Sequence, residues 1–533
     1  LAEGADFYTS PTLSPDGQQL VWVQWHHPHQ PWCASQLAAL NGPLSEALGT
    51  STTPGHQILL NGEMPSAPSS LQQPRFAPNG QLYFLSDQHG FWGLYRFKDK
   101  TRDAFNTDAE PETEPVYTPN ADCGSAPWQF GGRHFQFFQQ DNSLKLIIAQ
   151  CTQGLWQLVA LSLPESLSAP ITQTNILQSR ELNPASDEQN SQPSFFSYLS
   201  IAQDQALYQP PPDQPAPNQP QSDQSPHLIC LTAGSNQTLH LTNISLHPEA
   251  ALHQANQGHQ ECRQQAITAY QSLQQVPQPE RICLKLPEHP VYGIYHPRTA
   301  DQNQASNPLL IIAHGGPTSC AFPGLQLMVQ FWCQQGFNVL ELDHRGSTGY
   351  GREYRELLQG EWGEADLEDA RLFSHYLQQH RGISANKVAI RGHSAGGYIC
   401  MRAAALGYFD AVVSLYGISD LERLAASTHK FESHYPDWLI ADARSNQMLY
   451  QLRSPRFNLC QQQTYPALLM FQGGQDQVVP PEQSLQFKND YQSAGGYCEL
   501  VLYPQEGHGF RQYTNRLDQL QQELSFYQQQ ALL

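Results

Sequence analysis

Over roughly the first half of the chain, apolar and polar positions alternate in short runs set between turn-forming residues. Leu20-Val21-Trp22-Val23-Gln24-Trp25 follows the turn sequence Leu13-Ser14-Pro15-Asp16-Gly17, and Leu82-Tyr83-Phe84-Leu85 follows Phe76-Ala77-Pro78-Asn79-Gly80. Proline presets one turn position and glycine accepts positive φ, so each unit reads as a turn leading into a strand. A looser copy starts at Trp128-Gln129-Phe130-Gly131-Gly132 and runs into Phe135-Gln136-Phe137-Phe138. Later strands at 91–97 and 155–158 carry a Leu/Trp/Tyr signature. Their intervals match the roughly 40–60 residues of propeller blades. Residues 1–270 are therefore expected to be an all-β set of β-propeller blades.

Beyond about Glu280 the pattern changes. Continuous apolar runs at Leu309–Ala313, 338–342, 387–391, Ala411–Leu415, 467–471 and Cys498–Tyr503 alternate with helix-compatible stretches such as 353–358 and 366–379. Strands buried on both faces and alternating with helices predict a doubly wound, mostly parallel sheet, so residues 271–533 are expected to be an α/β-hydrolase domain. A length of 533 residues agrees with such a division, because single cores stop growing near about 250–300 residues. A Pro- and Gln-rich stretch, 209–226, reads as an exposed extended loop inside a poorly marked blade.

Composition excludes several classes of function. Hydrophobic residues make up 39% of the chain, enough for a sizeable core. Against 28 Lys and Arg stand 48 Asp and Glu, and a formal charge of −20 repels phosphate backbones and acidic lipid surfaces. Nucleic acid and membranes are thus not expected partners. No apolar run approaches the length of a membrane helix, about 18 residues or more. The 11 cysteines lack any C-x-x-C pair and read as reduced thiols, which points to a cytoplasmic setting. The chain begins at Leu1 rather than Met, so its start reads as processed or cut from a longer protein.

Candidate chemistry lies in the second half. Gly392-His393-Ser394-Ala395-Gly396 fits G-x-S-x-G between an apolar strand and a helix-compatible run, the setting of a nucleophile elbow. Asp476 follows the strand at 467–471, and His508 follows the strand ending at Tyr503. The order Ser, acid, His is the one that this fold expects. A serine hydroxyl is a weak nucleophile until a base takes its proton; His508 can do so near neutral pH, with Asp476 orienting the ring. His314-Gly315-Gly316-Pro317, directly after the strand Leu309–Ala313, matches the HGG-type loop of an oxyanion hole. The amides of Gly316 and Ala395 are the expected donors, one such donor being worth about 10²–10³ in rate.

Two further clusters invite a reading. Glu110, Glu112 and Glu114 are the most acidic group in the blades, and the cluster His26-His27-Pro28-His29 is flanked by Trp25 and Trp32. The histidines lack a carboxylate or cysteine at ligand spacing and read as a loop packed on a blade, so no metal or other cofactor is expected.

Taken together the motifs resemble the prolyl oligopeptidase family of serine peptidases, in its dipeptidyl aminopeptidase/acylaminoacyl-peptidase-like branch. The resemblance is carried by the HGGP loop, Arg345-Gly346-Ser347-Thr348-Gly349-Tyr350-Gly351, Trp362-Gly363, Gly392 to Tyr398, Tyr416-Gly417-Ile418-Ser419-Asp420-Leu421, Lys430-Phe431-Glu432-Ser433, Gln472-Gly473 with Asp476, and Gly507-His508-Gly509-Phe510. It implies a propeller capping an α/β-hydrolase domain, and hydrolysis of amide bonds in short peptides through an acyl-enzyme, with Ser394, Asp476 and His508 as the triad. It also implies about seven blades where three or four can be counted, so the N-terminal part of the cap reads as missing. Exopeptidases of the family hold a substrate's free amine with propeller carboxylates, a role Glu110, Glu112 and Glu114 could serve. His393 departs from the glycine usual before the nucleophile in this branch. Small amides or esters as substrates, and a non-catalytic binding protein on a propeller, remain open from the residues alone. Oligomeric state, a homo-oligomer included, is not fixed by them either.

Overall fold

The computed structural model describes residues 2–42, 56–98, 111–129, 131–140, 143–163, 193–202, 227–234, 237–245, 279–299, 306–322, 324, 326–460 and 464–533. The Pro- and Gln-rich stretch 209–226 lies outside them. The chain divides into two compact units: Leu1–Gln274 with Phe322–Leu325 and Gly349–Gly351, and the remainder.

In the first unit the described strands form four antiparallel sheets. The first is β1 (Phe7–Leu13), β2 (Gln19–Trp25), β3 (Gln36–Asn41) and β4 (Gln57–Asn61), paired in that order. The second repeats the scheme with β5 (Leu71–Phe76), β6 (Leu82–Ser86), β7 (Gly93–Phe97) and β8 (Thr113–Tyr117). A third holds β9 (Phe135–Gln140), β10 (Ser143–Thr152) and β11 (Leu155–Ser162), and a fourth β12 (Pro193–Ala202), β13 (His227–Gly234) and β14 (Gln237–Ser245).

The two best-marked turns are built alike. Gly17 stands at φ 70 and donates its N–H to Ser14 O at 2.9 Å, while the Asp16 carboxylate accepts from Gln18 N at 3.1 Å. Gly80 stands at φ 85, donates to Ala77 O at 2.9 Å, and Asn79 Oδ1 accepts from Gln81 N at 3.1 Å. A short polar side chain two residues before the amide it accepts from is what makes both sequences turn. Tyr83, Leu85, Phe135, Leu146, Ile148 and Val159 bury the space between the second and third sheets.

The second unit is one sheet of eight strands in the order β15-β16-β18-β17-β19-β20-β21-β22. These are β15 (Glu280–Lys285), β16 (Pro290–His296), β17 (Leu309–Ala313), β18 (Asn338–Asp343), β19 (Val388–His393), β20 (Ala411–Leu415), β21 (Ala467–Gly473) and β22 (Cys498–Tyr503). Strands β17 to β22 pair in parallel, and β15 and β16 add an antiparallel edge. The connecting helices include α1 (Leu327–Gln334), α2 (Gly351–Glu356), α3 (Ala365–Arg381), α4 (Ala395–Ala405), α5 (Pro481–Ser493) and α6 (Tyr513–Gln529). The core joins Leu310, Val339, Val413 and Phe471 of the strands to Trp332 of α1 and to Phe526 and Tyr527 of α6. No helix of the described residues is long and apolar enough to cross a membrane.

Two buried charges in this unit differ in how they are compensated. Arg391 of β19 and Glu523 of α6 are 3% and 0% exposed and meet at 2.7 Å, with Tyr527 donating its hydroxyl to the same carboxylate at 3.0 Å. Asp366 of α3 accepts from Gly363 N and Leu367 N through Oδ1, but its buried Oδ2 has no hydrogen-bond partner. Burial pushes its pKa from 3.8 up to about 7.

Breaking the first pair leaves a charge stranded in the core. We expect Glu523→Ala to cost about 3–5 kcal/mol, and the double replacement Arg391→Met with Glu523→Leu to recover most of it. Equal loss in single and double variants, measured by denaturant unfolding, would contradict this. For Asp366 the folded pKa lies above the unfolded one, so its contribution is full below about pH 4 and is lost as pH rises through about 7. Asp366→Asn is therefore expected to be more stable than the parent at pH 8 by up to a few kcal/mol, since each tenfold change in proton affinity is worth about 1.4 kcal/mol. The gap should close by pH 4; an equal gap at both pH values would refute the assignment.

Candidate active site

The strand β19 ends in a turn that only a restricted sequence can make. Ser394 stands at φ 53 and ψ −119, and the chain enters α4 at the next residue. A Cβ on Gly396 would lie 2.2 Å from Ala313 O, a backbone atom of β17 that cannot move away. Glycine is thus required by the close packing of turn and sheet. The half-buried Ser394 hydroxyl emerges at the C-terminal end of the parallel strands, where open α/β sheets build their sites.

Two more strand ends deliver the other side chains. His508 Nε2 lies 2.9 Å from Ser394 Oγ, and His508 Nδ1 lies 2.8 Å from Asp476 Oδ2. Asp476 only accepts, so Nδ1 carries the proton and Nε2 is left to accept from the serine hydroxyl. The carboxylate is 4% exposed and otherwise satisfied: Oδ1 accepts from Val478 N and Val479 N at 2.9 Å, and Oδ2 from Gln472 Nε2 at 3.1 Å. Gln472 is itself held by Ser484, whose hydroxyl donates to its Oε1 at 2.8 Å.

Ala395 is the first residue of α4, where an N–H has no intrahelical acceptor and the helix dipole favours negative charge. Gly316 lies in the loop after β17, at φ 123. That loop is pinned by His314, whose Nδ1 sits 2.8 Å from Gly315 O and whose Nε2 sits 2.8 Å from Ser347 Oγ. The carbonyl fixes the proton on Nδ1, so Nε2 accepts from the serine. His314 stacks on the buried His344 at 4.5 Å between ring centres. Burial lowers the pKa of both rings and keeps them neutral. His393 packs its ring against the same loop: a Cβ on Gly315 would meet His393 Nε2 at 2.9 Å. The departure at the elbow therefore fills space beside the HGG segment.

Sequence reading named the three polar residues and the HGG loop but gave no role to Gln472 or Tyr416. Tyr416 stands at φ 39, and its ring lies edge-on to His508 at 4.8 Å and to Phe510 at 5.4 Å. It forms a wall beside the imidazole. The signal was the Gln-Gly pair four residues before the acid and the Tyr-Gly after a buried strand, each too short to carry a role alone.

Glu110 lies outside the described residues. Glu112 is paired with Lys98, and Glu114 with Arg96, each at 2.6 Å. His26 Nδ1 meets Glu63 Oε2 at 2.8 Å, a carboxylate 37 residues away in sequence that the spacing did not reveal. His27 stands edge-on to Phe7, which stacks on Trp25. Among the described residues no cluster of histidine, cysteine or carboxylate side chains could hold a metal ion.

Residues 323–532 match the prolyl oligopeptidase family. The acylamino-acid-releasing enzyme of Rattus norvegicus is 27% identical over 226 residues, covering 40% of this chain and 30% of that protein. Dipeptidyl aminopeptidase BIII of Pseudoxanthomonas mexicana is 29% identical over 231 residues, covering 41% of this chain and 33% of that protein. The matched stretch thus spans about a third of these curated relatives. Among solved structures, a Mycobacterium tuberculosis puromycin-hydrolyzing peptidase superposes with a TM-score of 0.75 at 25% identity, over 99% of this chain and 70% of that one. The fold is an α/β hydrolase preceded by all-β propeller-type blades.

The Gln472 contact gives a measurable consequence. Gln472→Leu removes a hydrogen bond to a buried carboxylate, and we expect labelling of Ser394 by a fluorophosphonate to slow by on the order of ten-fold. An unchanged labelling rate in a folded variant would show that Asp476 is held without it.

Proposed function

We propose that this chain is a serine peptidase that hydrolyses amide bonds near the N-terminus of short peptides, as an aminopeptidase or a dipeptidyl- or acylaminoacyl-peptidase. The observation that carries the reading is the continuous relay from Asp476 through His508 to Ser394, at 2.8 and 2.9 Å. The family domain and the names of its relatives support the substrate class.

Ser394 Oγ attacks the carbonyl carbon as its proton passes to His508 Nε2, and the buried Asp476 stabilises the imidazolium. The carbonyl oxygen gains negative charge and is met by the amides of Gly316 and Ala395. The tetrahedral adduct collapses as the C–N bond breaks, and His508 returns its proton to the leaving amine. Water then attacks the acyl-enzyme with the same base, which releases the acid and restores the serine. Within this reading residues 1–270 are the blades and 271–533 the hydrolase domain, and no cofactor takes part. Free thiols, among them buried Cys123, Cys151, Cys333, Cys400 and Cys498, support a cytoplasmic protein.

Ser394→Ala should abolish fluorophosphonate labelling and lower kcat by at least about 10⁴-fold, since removal of a triad member leaves only binding and the oxyanion hole. Aminoacyl-, dipeptidyl- and N-acetylaminoacyl-nitroanilides measured beside nitrophenyl esters test the substrate class. A kcat/KM confined to the esters would replace the peptidase reading by that of a small-molecule esterase.

A further inference from the structure

The first strands of the two leading blades share one deformation. In β1, Ser10 stands at φ 53 ahead of Pro11, and pairing with β2 slips between Thr9 and Thr12. In β5, Gln73 stands at φ 50 ahead of Pro74, and pairing with β6 slips between Gln72 and Arg75. Positive φ at residues other than glycine is costly, and β-bulges serve to re-aim side chains beside sites. Both bulges border one cavity of about 430 Å³, lined by residues 8–12, 73–75 and 131–133, all within the N-terminal unit.

The charge in this cavity is unbalanced. Arg75 and Arg133 both line it. Arg75 donates through Nη1 to the neutral Gln136 Oε1 at 3.0 Å and lies 5.8 Å from the centre of the Phe135 ring. Its buried Nε has no acceptor. Among the described residues neither arginine is paired with a carboxylate, and burial together with the charge of Arg133 pulls the Arg75 pKa down to about 10. Acids are not scarce, at 48 against 28 basic residues, and several arginines elsewhere are paired with one: Arg96 with Glu114, Arg345 with Asp369 and Arg391 with Glu523. Two guanidinium groups that line one cavity, with no acid among its described lining residues, leave a fork of donors unused. That fork has the geometry for a planar or tetrahedral oxyanion, and the hydroxyl residues Thr9, Ser10 and Thr12 border the same space.

We propose that this cavity binds the carboxylate or phosphate group of a small ligand, with Arg75 and Arg133 as its charged donors. The ligand's oxyanion takes the place of the missing acid, and the paired bulges hold the strands apart to admit it. The proposal does not depend on the reaction at Ser394.

Titration calorimetry of the full chain against inorganic phosphate and against succinate, at constant ionic strength with chloride as the balancing ion, tests it. Succinamide serves as the uncharged control. Saturable binding of either anion, weakened at least about ten-fold in both Arg75→Met and Arg133→Met, is the expected result. Phosphate alone or succinate alone then names the group. Arg133 is exposed, so Arg133→Met decides the matter if Arg75→Met does not fold. Absence of saturable binding, equal binding of succinamide, or an affinity unchanged by Arg133→Met would overturn the proposal.

Discussion

Ser394 holds a backbone conformation that a residue with a side chain adopts only when its surroundings enforce it, at a cost on the order of 1–3 kcal/mol. Its N–H donates to Leu415 O of β20 at 3.0 Å, and Tyr398 N–H returns to Ser394 O at 2.9 Å. On the other flank the turn is pressed against Ala313 of β17. Because β17 and β20 are the parallel neighbours of β19 on either side, the serine is gripped by the centre of the sheet. A one-residue slip of β19 would send every side chain to the opposite layer, taking Arg391 from Glu523, so the register that places the hydroxyl is set by packing on both faces.

The acid and the base are placed differently. They sit on loops after β21 and β22, toward the sheet's edge, where hydrogen bonds do what burial does at the centre. Asp476 accepts from two backbone amides, a glutamine and the imidazole. Two residues before His508, the buried Glu506 accepts from Arg511 N, Gln512 N and Asn515 Nδ2 beyond it, each at 2.9 Å, and so closes the loop on itself. Tyr416 adds a ring wall against the imidazole. Each loop is fixed by polar groups that would be costly to leave unpaired.

This division explains what could be read from sequence. Parallel strands print continuous apolar runs, and the elbow and the HGG loop are contiguous motifs, so the sheet's centre and its chemistry were legible. Strands β1 and β5 were not, because Pro11 and Pro74 look like strand breakers until the bulges that accommodate them are seen. The edge strand β15 is half-exposed, and its alternation at Ile282 and Leu284 is brief. The acidic cluster in the blades looked like a charge site, yet Glu112 and Glu114 face Lys98 and Arg96 across a strand pair, and cross-strand partners cannot be read without register. Gln472 and Tyr416 act through neighbours that only the fold supplies.

The buried ion pair adds a link between these two kinds of placement. Arg391 stands on β19 three residues before Ser394 and is tied to Glu523 on α6, the helix that follows the loop bearing His508. The path from Ser394 down β19, across the pair, back along α6 and its preceding loop to His508 is thus a closed ring of contacts, although serine and histidine are 114 residues apart. A pair of this kind gains little net energy, because desolvating two charges offsets most of their attraction. What it contributes here is position: an apolar helix face could slide along the sheet at small cost, whereas a guanidinium and a carboxylate buried at 2.7 Å tolerate no such shift. The charge is therefore spent on fixing where the base stands relative to the nucleophile.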